Sequence, residues 1–481
     1  MPRLRPAMTA LLPLMLIAGC TVGPDFKKPA APDVASYTAP QEPAAAPGGQ
    51  RLQAGADIPA QWWRLFQSEA LDQLVRQALD ASPTLEEARA RLRQATEDLN
   101  AETGGRTLPS VDANLSAARK KVDPAAYGVP VAVQPPPFTL YNASIDVSYT
   151  LDVFGGNRRA LEGMAAQLDY QAHELQAARM SLAANVVTAA IKQADLSERL
   201  AASHDLLAAQ IRQQDIMAQR VAAGGVSQAD LRNQELLVAQ TRATLPPLEQ
   251  QLSQVSHQLA VYLGQPPAAL QSAPLRLSDL TLPADVPTGI PSALTRQRPD
   301  ILAAEALWHK ASADVGVATA NQYPQFTLTA SFGSQRTRAG ELTDGVNVWN
   351  LGLGLVQPLF RGGELRARKR SAEAAYDAAS AAYQQTVLDG FRQVADALRA
   401  VQTDGDAFQA YDDAWRRAAD AERIAQGRYQ AGGISHLSLL DSQRQLLNTR
   451  IARTQADAAR YADTAALLQA LGGGWWNEAE K

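Results

Sequence analysis

The segment Tyr141-Asn142-Ala143-Ser144-Ile145-Asp146-Val147-Ser148-Tyr149-Thr150-Leu151-Asp152 alternates strictly, with every odd position apolar and every even one polar. Side chains of a strand point to opposite faces with period two, so this reads as a strand with one apolar and one polar face. Three more segments repeat the pattern. Phe326, Leu328, Ala330 and Phe332 alternate with Thr327, Thr329 and Ser331; Trp349, Leu351, Leu353 and Leu355 with Asn350, Gly352 and Gly354; and Val111, Ala113 and Leu115, more weakly, with Asp112, Asn114 and Ser116. A soluble sheet with one buried face would read this way, and so would a membrane barrel with lipid outside and water inside. The strands have a fully polar second face and are long enough to span hydrocarbon, and Tyr, Trp and Phe fall near their ends as an interfacial girdle requires. These features favour the barrel. Four strands cannot close one, and open edges do not survive in lipid. Two copies would supply about eight strands, filled by side chains, and three about twelve, wide enough for a lumen. The polar inner face favours three.

The strands sit inside a duplication. Ser82-Pro83-Thr84-Leu85 matches Arg298-Pro299-Asp300-Ile301, and Leu108-Pro109 matches Tyr323-Pro324. Leu151-Asp152-Val153-Phe154-Gly155-Gly156 matches Gln357-Pro358-Leu359-Phe360-Arg361-Gly362-Gly363. Arg220-Val221-Ala222-Ala223-Gly224-Gly225-Val226-Ser227 matches Arg428-Tyr429-Gln430-Ala431-Gly432-Gly433-Ile434-Ser435. The offsets are 216, 215, 206 and 208 in order, which marks a tandem repeat of about 210 residues. Each unit reads as a helix (84–103 or 300–321), two strands, a very long helix (157–222 or 362–430), a Gly-Gly turn and a return helix. The strands are expected at 109–118 and 139–153 in the first unit, and at 324–335 and 347–358 in the second. A helix over 157–222 is about 100 Å long, and a proline-free stretch of that length points to coiled-coil or tubular packing. Pro246-Pro247 in the return helix 227–263 should bend or offset it.

Cys20 is the one cysteine in 481 residues. It follows Arg3, Arg5 and an apolar stretch from Ala7 to Gly19, the pattern of a secretory signal peptide cleaved before residue 20. The domain reading is therefore a signal peptide at 1–19, a Pro/Ala/Gly-rich tether at 20–61, repeat 1 at 62–263, a proline-rich connector wrapped around the outside at 264–299, repeat 2 at 300–471 and a tail at 472–481. The helical hairpins occupy 157–263 and 362–470. A formal charge of −4, from 45 basic and 49 acidic residues, gives no electrostatic case for nucleic acid. After Cys20 there is no run of about 18 apolar residues, so any membrane span must be β.

The run Ile17-Ala18-Gly19-Cys20 resembles the bacterial lipoprotein box, which implies a covalent lipid on Cys20; Thr21, rather than Asp, by resemblance favours the outer membrane. The whole chain resembles the outer-membrane factors of the TolC type, in the lipid-anchored branch that includes OprM and NodT-like proteins. The resemblance rests on Cys20 with Val22-Gly23-Pro24-Asp25-Phe26-Lys27-Lys28-Pro29, Trp62-Trp63-Arg64-Leu65-Phe66, Arg298-Pro299-Asp300-Ile301, Gln357-Pro358-Leu359-Phe360, Arg428-Tyr429 with Gly432, Ser435 and Leu439-Leu440-Asp441, and Ala470-Leu471-Gly472-Gly473-Gly474-Trp475. It implies a mixed α and β membrane protein: a homotrimer with a twelve-stranded outer-membrane β-barrel, four strands per protomer, continued by a long periplasmic α-helical barrel. The implied partners are a periplasmic adaptor and an inner-membrane transporter of the RND type. The implied role is the exit duct of a tripartite efflux pump, with no reaction and no cofactor beyond the lipid.

By the same resemblance Gly224, Gly225, Val226, Ser227 and Gly432, Gly433, Ile434, Ser435 form periplasmic tips that meet the adaptor. Asp441, Leu437 and Arg444 narrow the resting aperture, and Asp230 bonds Tyr429 to lock neighbouring hairpins. Ser438 stands where TolC has a second aspartate, and Ile434 where it has an arginine. Spacing alone places Asp441 and Arg444 on one helix face. Two other roles fit the chain: the outer-membrane duct of a type I protein-secretion system, and a periplasmic coiled-coil lipoprotein without a pore. The five histidines are scattered, His173-Glu174 lacks a second histidine four residues on, and Gly352-Leu353-Gly354 lies inside a strand pattern, so zinc and dinucleotide motifs do not form.

Overall fold

The computed structural model describes residues 21–34, 36–37, 50–124, 128, 136–270 and 274–477. Cys20, the signal-peptide segment and the end of the tail lie outside the described residues. In chain order the helices are α1 (Glu69–Ala81), α2 (Pro83–Thr107), α3 (Gly156–Ala222), α4 (Gln228–Tyr262), α5 (Leu294–Gln297), α6 (Pro299–Ala320), α7 (Glu364–Gln430) and α8 (His436–Ala470). The strands are β1 (Arg51–Ala54), β2 (Ser110–Lys120), β3 (Phe138–Leu151), β4 (Asp285–Gly289), β5 (Gln325–Arg336) and β6 (Val348–Val356). The chain divides into two compact units. One comprises residues 1–29, 91–171 and 303–383, the other 30–90, 172–302 and 384–481.

The first unit carries an antiparallel sheet of order β2-β3-β5-β6. Its register aligns like with like. Ala113, Ile145, Phe332 and Trp349 form one cross-strand row, and the next row is Asp112, Asp146, Ser331 and Asn350. A one-residue slip would turn every apolar side chain to the polar face, so this pattern fixes the pairing.

The duplication holds at the level of single residues. α3 and α7 are each 67 residues long, and α4 and α8 each 35. The proline pair Pro246-Pro247 therefore leaves the length of its helix unchanged. The offset between α3 and α7 is 208, from Gly156 to Glu364, and that between β2 and β5 is 215, from Ser110 to Gln325. Applied to the pair Ser110–Ser148, these offsets give Gln325–Val356, which is the observed pair. The offset of 206 that aligns Phe154 with Phe360 is thus two short: by register, Leu359 occupies the place of Leu151.

The second unit holds the main apolar core. Ile58, Trp62, Trp63 and Phe66 pack with Leu71, Val75 and Ala78 of α1, Val187 and Ile191 of α3, and Leu467 and Leu468 of α8. Each large side chain buried here contributes about 2 kcal/mol. Trp63 donates its indole N–H to Asp72 at 2.9 Å, and Arg64 and Arg76 pair with the same carboxylate. Two segments carry more structure than their composition suggests. The tether segment 20–61 contains β1, which pairs in parallel with β4 of the connector. The connector buries Leu275, Leu277 and Leu280 in the core. Short apolar residues between prolines hide more area than a proline-rich composition suggests.

Candidate channel wall and gate

The four-stranded sheet leaves its apolar face bare. Val111, Leu115, Phe332, Trp349, Leu351, Leu353 and Leu355 are all exposed, whereas soluble proteins rarely leave so large a contiguous apolar patch uncovered. The other face is polar: Asp146 accepts hydrogen bonds from Ser144 Oγ at 3.1 Å and from Ser331 Oγ at 2.6 Å. Both edge strands, β2 and β6, keep an unpaired side. Among the described residues no helix is long and apolar enough to cross a membrane.

Residues 21–28, read from sequence as part of an extended tether, are held by side chains of the first unit. The Val22 N–H donates to Phe154 O at 3.1 Å. The buried Arg159 guanidinium takes Val22 O at 3.3 Å, Gly23 O at 3.4 Å and Asp25 Oδ1 at 2.6 Å. Phe26 stacks on His309 at 4.5 Å and meets the edge of Trp308, while Lys28 pairs with Glu305. The approach is close enough that a Cβ on Gly23 would lie 2.5 Å from Gly316 Cα. The resemblance motif Val22–Phe26 is therefore a strap held against the junction of β3 and α3.

Both hairpin turns, in the second unit, are built alike. Gly224 and Gly432 have φ of 75° and 73°, the left-handed conformation that glycine adopts without strain. Gly225 N–H reaches Arg220 O at 2.7 Å and Gly433 N–H reaches Arg428 O at 2.8 Å, closing a Schellman motif in each repeat. Ser227 and Ser435 then cap α4 and α8 through Asp230 N–H and Ser438 N–H. Gly224, Gly225, Ser227, Gly432, Gly433 and Ser435 are exposed, and Val226 and Ile434 are half-buried.

Asp441 and Arg444 form an exposed ion pair at 3.7 Å, and Leu437 is exposed one turn earlier. Asp230 does not bond Tyr429. Its carboxylate instead accepts the Ser227 hydroxyl at 2.6 Å, and the buried Tyr429 hydroxyl has no hydrogen-bond partner among the described residues. The Ser-x-x-Asp cap is local and satisfies the carboxylate first.

The contact that joins the two hairpins was not read from the sequence. His436 is buried, with Nε2 3.0 Å from Gln234 Oε1. Gln234 Nε2 donates to Gln210 O at 2.7 Å. A carbonyl only accepts, so this bond orients the amide and leaves its oxygen facing the imidazole; His436 therefore carries its proton on Nε2. Nδ1 is buried without a hydrogen-bond partner among the described residues. The Tyr429 ring lies 5.2 Å from the imidazole and 5.9 Å from the Arg220 guanidinium.

Burial holds the His436 imidazole below its ordinary value, opposed by the nearby Asp230 carboxylate. The unfolded imidazole binds a proton more readily than the folded one. The contribution of this contact is therefore complete above the ordinary value of 6.5 and is lost as the pH falls through the lowered value. The contact should accordingly contribute less to stability in acid than at pH 7.5, read as a fall in the thermal unfolding midpoint. His436→Gln, which can still donate to Gln234, should flatten that dependence.

The family model described as outer membrane efflux protein matches residues 74–265 and 290–473. The chain is 32% identical over 416 residues to the pyoverdine export outer membrane protein OpmQ of Pseudomonas putida, which covers 86% of this chain and 88% of that one. It is 32% identical over 483 residues to the outer membrane protein OprJ of Pseudomonas aeruginosa, covering 97% and 96%. The structure of the outer-membrane channel OprN superposes with a TM-score of 0.84 at 30% identity, covering 95% of this chain and all of that one. The protein is an outer-membrane channel protein that belongs to the outer membrane efflux protein family.

Proposed function

We propose that this chain works as a homotrimer and is the exit duct of a tripartite efflux pump, receiving small molecules from a periplasmic adaptor and an inner-membrane transporter of the RND type. The observation that carries this reading is the bare apolar face of a sheet with two unpaired edges. Only lipid and further strands satisfy such a sheet, and three copies bring twelve strands around a polar lumen. The paired 67-residue helices are long enough to form the wall of a helical tunnel. A lipid on Cys20 would be a second anchor beside the barrel. The exposed turns Gly224–Ser227 and Gly432–Ser435 are the surfaces offered to the adaptor. Relatives named for pyoverdine export and for a toluene efflux pump favour efflux over protein secretion.

Three copies of Asp441 and Arg444 around a three-fold axis ring the aperture, with Leu437 narrowing it and the hairpin contacts around Tyr429 and Asp230 supporting it. Asp441→Ala with Arg444→Ala is expected to raise the resting leak of reconstituted channels severalfold, and unchanged single-channel conductance would count against the gate. The functional reading itself is tested by deleting the gene. Efflux predicts accumulation of small toxic compounds with normal protein secretion. Loss of a secreted protein, with unchanged susceptibility, would assign the chain to type I secretion.

A further inference from the structure

All four strands join helices at one end of the sheet: α2 leads into β2, β3 into α3, α6 into β5 and β6 into α7. The opposite end carries the connections 121–137 and 337–347, the end that an outer-membrane barrel turns outward. The apolar face changes character there. Along β3 its positions run Leu151, Tyr149, Val147, Ile145 and Ala143, then Tyr141 and Thr139. Tyr141 stands opposite Arg336 of β5, and Thr139 opposite Arg119 of β2. By register both arginines therefore belong to the apolar face, at its outer end. From Leu151 to Tyr141 the strand covers about 34 Å, or about 26 Å of height at the tilt of a barrel, which matches the apolar band of such barrels. Arginine is costly at the middle of a lipid-facing surface and tolerated at the interface, and these two fall at the interface.

Resting on the barrel reading above, we propose that Arg119, Tyr141 and Arg336 hold the phosphate-bearing headgroup of a lipid in the outer leaflet. Arg119 is exposed and Arg336 half-buried, and neither pairs with a carboxylate among the described residues. Arg336 donates to backbone carbonyls instead, Gln335 O at 3.4 Å and Gly345 O at 3.5 Å, long bonds that leave its charge unanswered. Arg338, by contrast, is matched by Glu341 at 3.0 Å. Positions 119 and 336 lie two strands and one row apart, about 12 Å between Cα atoms, so both long side chains can reach one headgroup across the Tyr141 ring. Guanidinium forks fit phosphate oxygens, which a neutral headgroup would not offer. A separate observation provides for the acyl chains. Directly inward of these rows a hollow of about 450 Å³ is lined by Leu115, Ile145 and Phe332 of the apolar face and by Leu342 and Val346 of the 337–347 connection. A phosphate clamp above an apolar hollow suits a lipid; a soluble phosphate compound would leave the hollow empty.

The test measures binding of lipid A, a diphosphorylated glycolipid, to the full-length protein extracted from membranes in detergent, with native mass spectrometry as the readout. Wild type should bind lipid A and bind its dephosphorylated form far more weakly, a comparison that needs no variant. Arg119→Gln with Arg336→Gln should weaken binding roughly 30-fold, the combined effect of two basic groups beside an anionic lipid. Lys120→Gln is the control, because Lys120 neighbours Arg119 but belongs to the polar face by register; its binding should match wild type. Heat-modifiable migration verifies that each variant is folded. Equal binding of the two lipid forms by wild type, or equal binding by the folded double variant and the control, would overturn the site. Displacement of lipid A by excess inorganic phosphate would also overturn it, since the hollow would then hold nothing. Failure to recover wild type from the outer membrane would instead refute the barrel reading, and the site with it.

Discussion

Leu353→Arg should remove the protein from the outer membrane. Leu353 is 66% exposed in the middle of β6, in the apolar row with Leu328 and on the face that reads as lipid-facing. Arginine on the lipid face near the bilayer midplane costs about 2–4 kcal/mol per barrel chain. With one copy per protomer this becomes about 6–12 kcal/mol for three, comparable to the whole stability of a folded domain. Thr329→Arg is the control. Thr329 sits next to Leu328 on β5 but belongs to the polar face, paired with Gly352, where arginine meets water. Membrane fractionation and heat-modifiable migration should show the Leu353 variant lost from the outer membrane and the Thr329 variant retained. Equal retention of both would mean that the bare apolar face does not meet lipid.

Arg298→Ala should be the most destabilising single change in the second unit. Arg298 is buried, and Nη1 donates to Ala470 O at 2.8 Å, capping the end of α8. Nε and Nη2 grip Asp300 at 3.0 and 2.6 Å, and Nη2 also reaches Gln393 Oε1 at 2.8 Å. One guanidinium thus ties the first turn of α6 to α7 and α8, across 172 positions of sequence. Truncation leaves the buried Ala470 carbonyl without its donor and removes the ties to Asp300 and Gln393, at a cost of about 1–3 kcal/mol. Lysine has a single donor centre and cannot form the fork, so Arg298→Lys should fall between wild type and alanine. Thermal unfolding followed by circular dichroism checks the order; identical midpoints for the three proteins would refute it.

The sequence makes the strands and the four hairpin helices legible because their periods, 2 and about 3.6, are carried by each segment alone. What escaped depends on partners far along the chain. Residues 21–28 are rich in small and polar groups and look like a tether, but their carbonyls are held by Arg159, 137 positions away from Val22. His436 looks like one of five scattered histidines until folding brings it to Gln234, 202 positions away. The Arg298-Pro299-Asp300 motif was visible as a repeat landmark, while its work as a helix cap was not. The two-residue error in matching Phe154 to Phe360 came from aligning similar residues, where backbone register decides equivalence. Within the single chain Asp230 is engaged by Ser227, a local cap that the resemblance, which carries residue types alone, does not reveal.

The central claim is that this sheet is one third of a closed transmembrane barrel. Native mass spectrometry of the detergent-extracted full-length protein tests it most directly. The account predicts a complex of three chains that persists on dilution. A dimer would give eight strands and a filled barrel, a monomer would leave both edges open in lipid, and either result would contradict it.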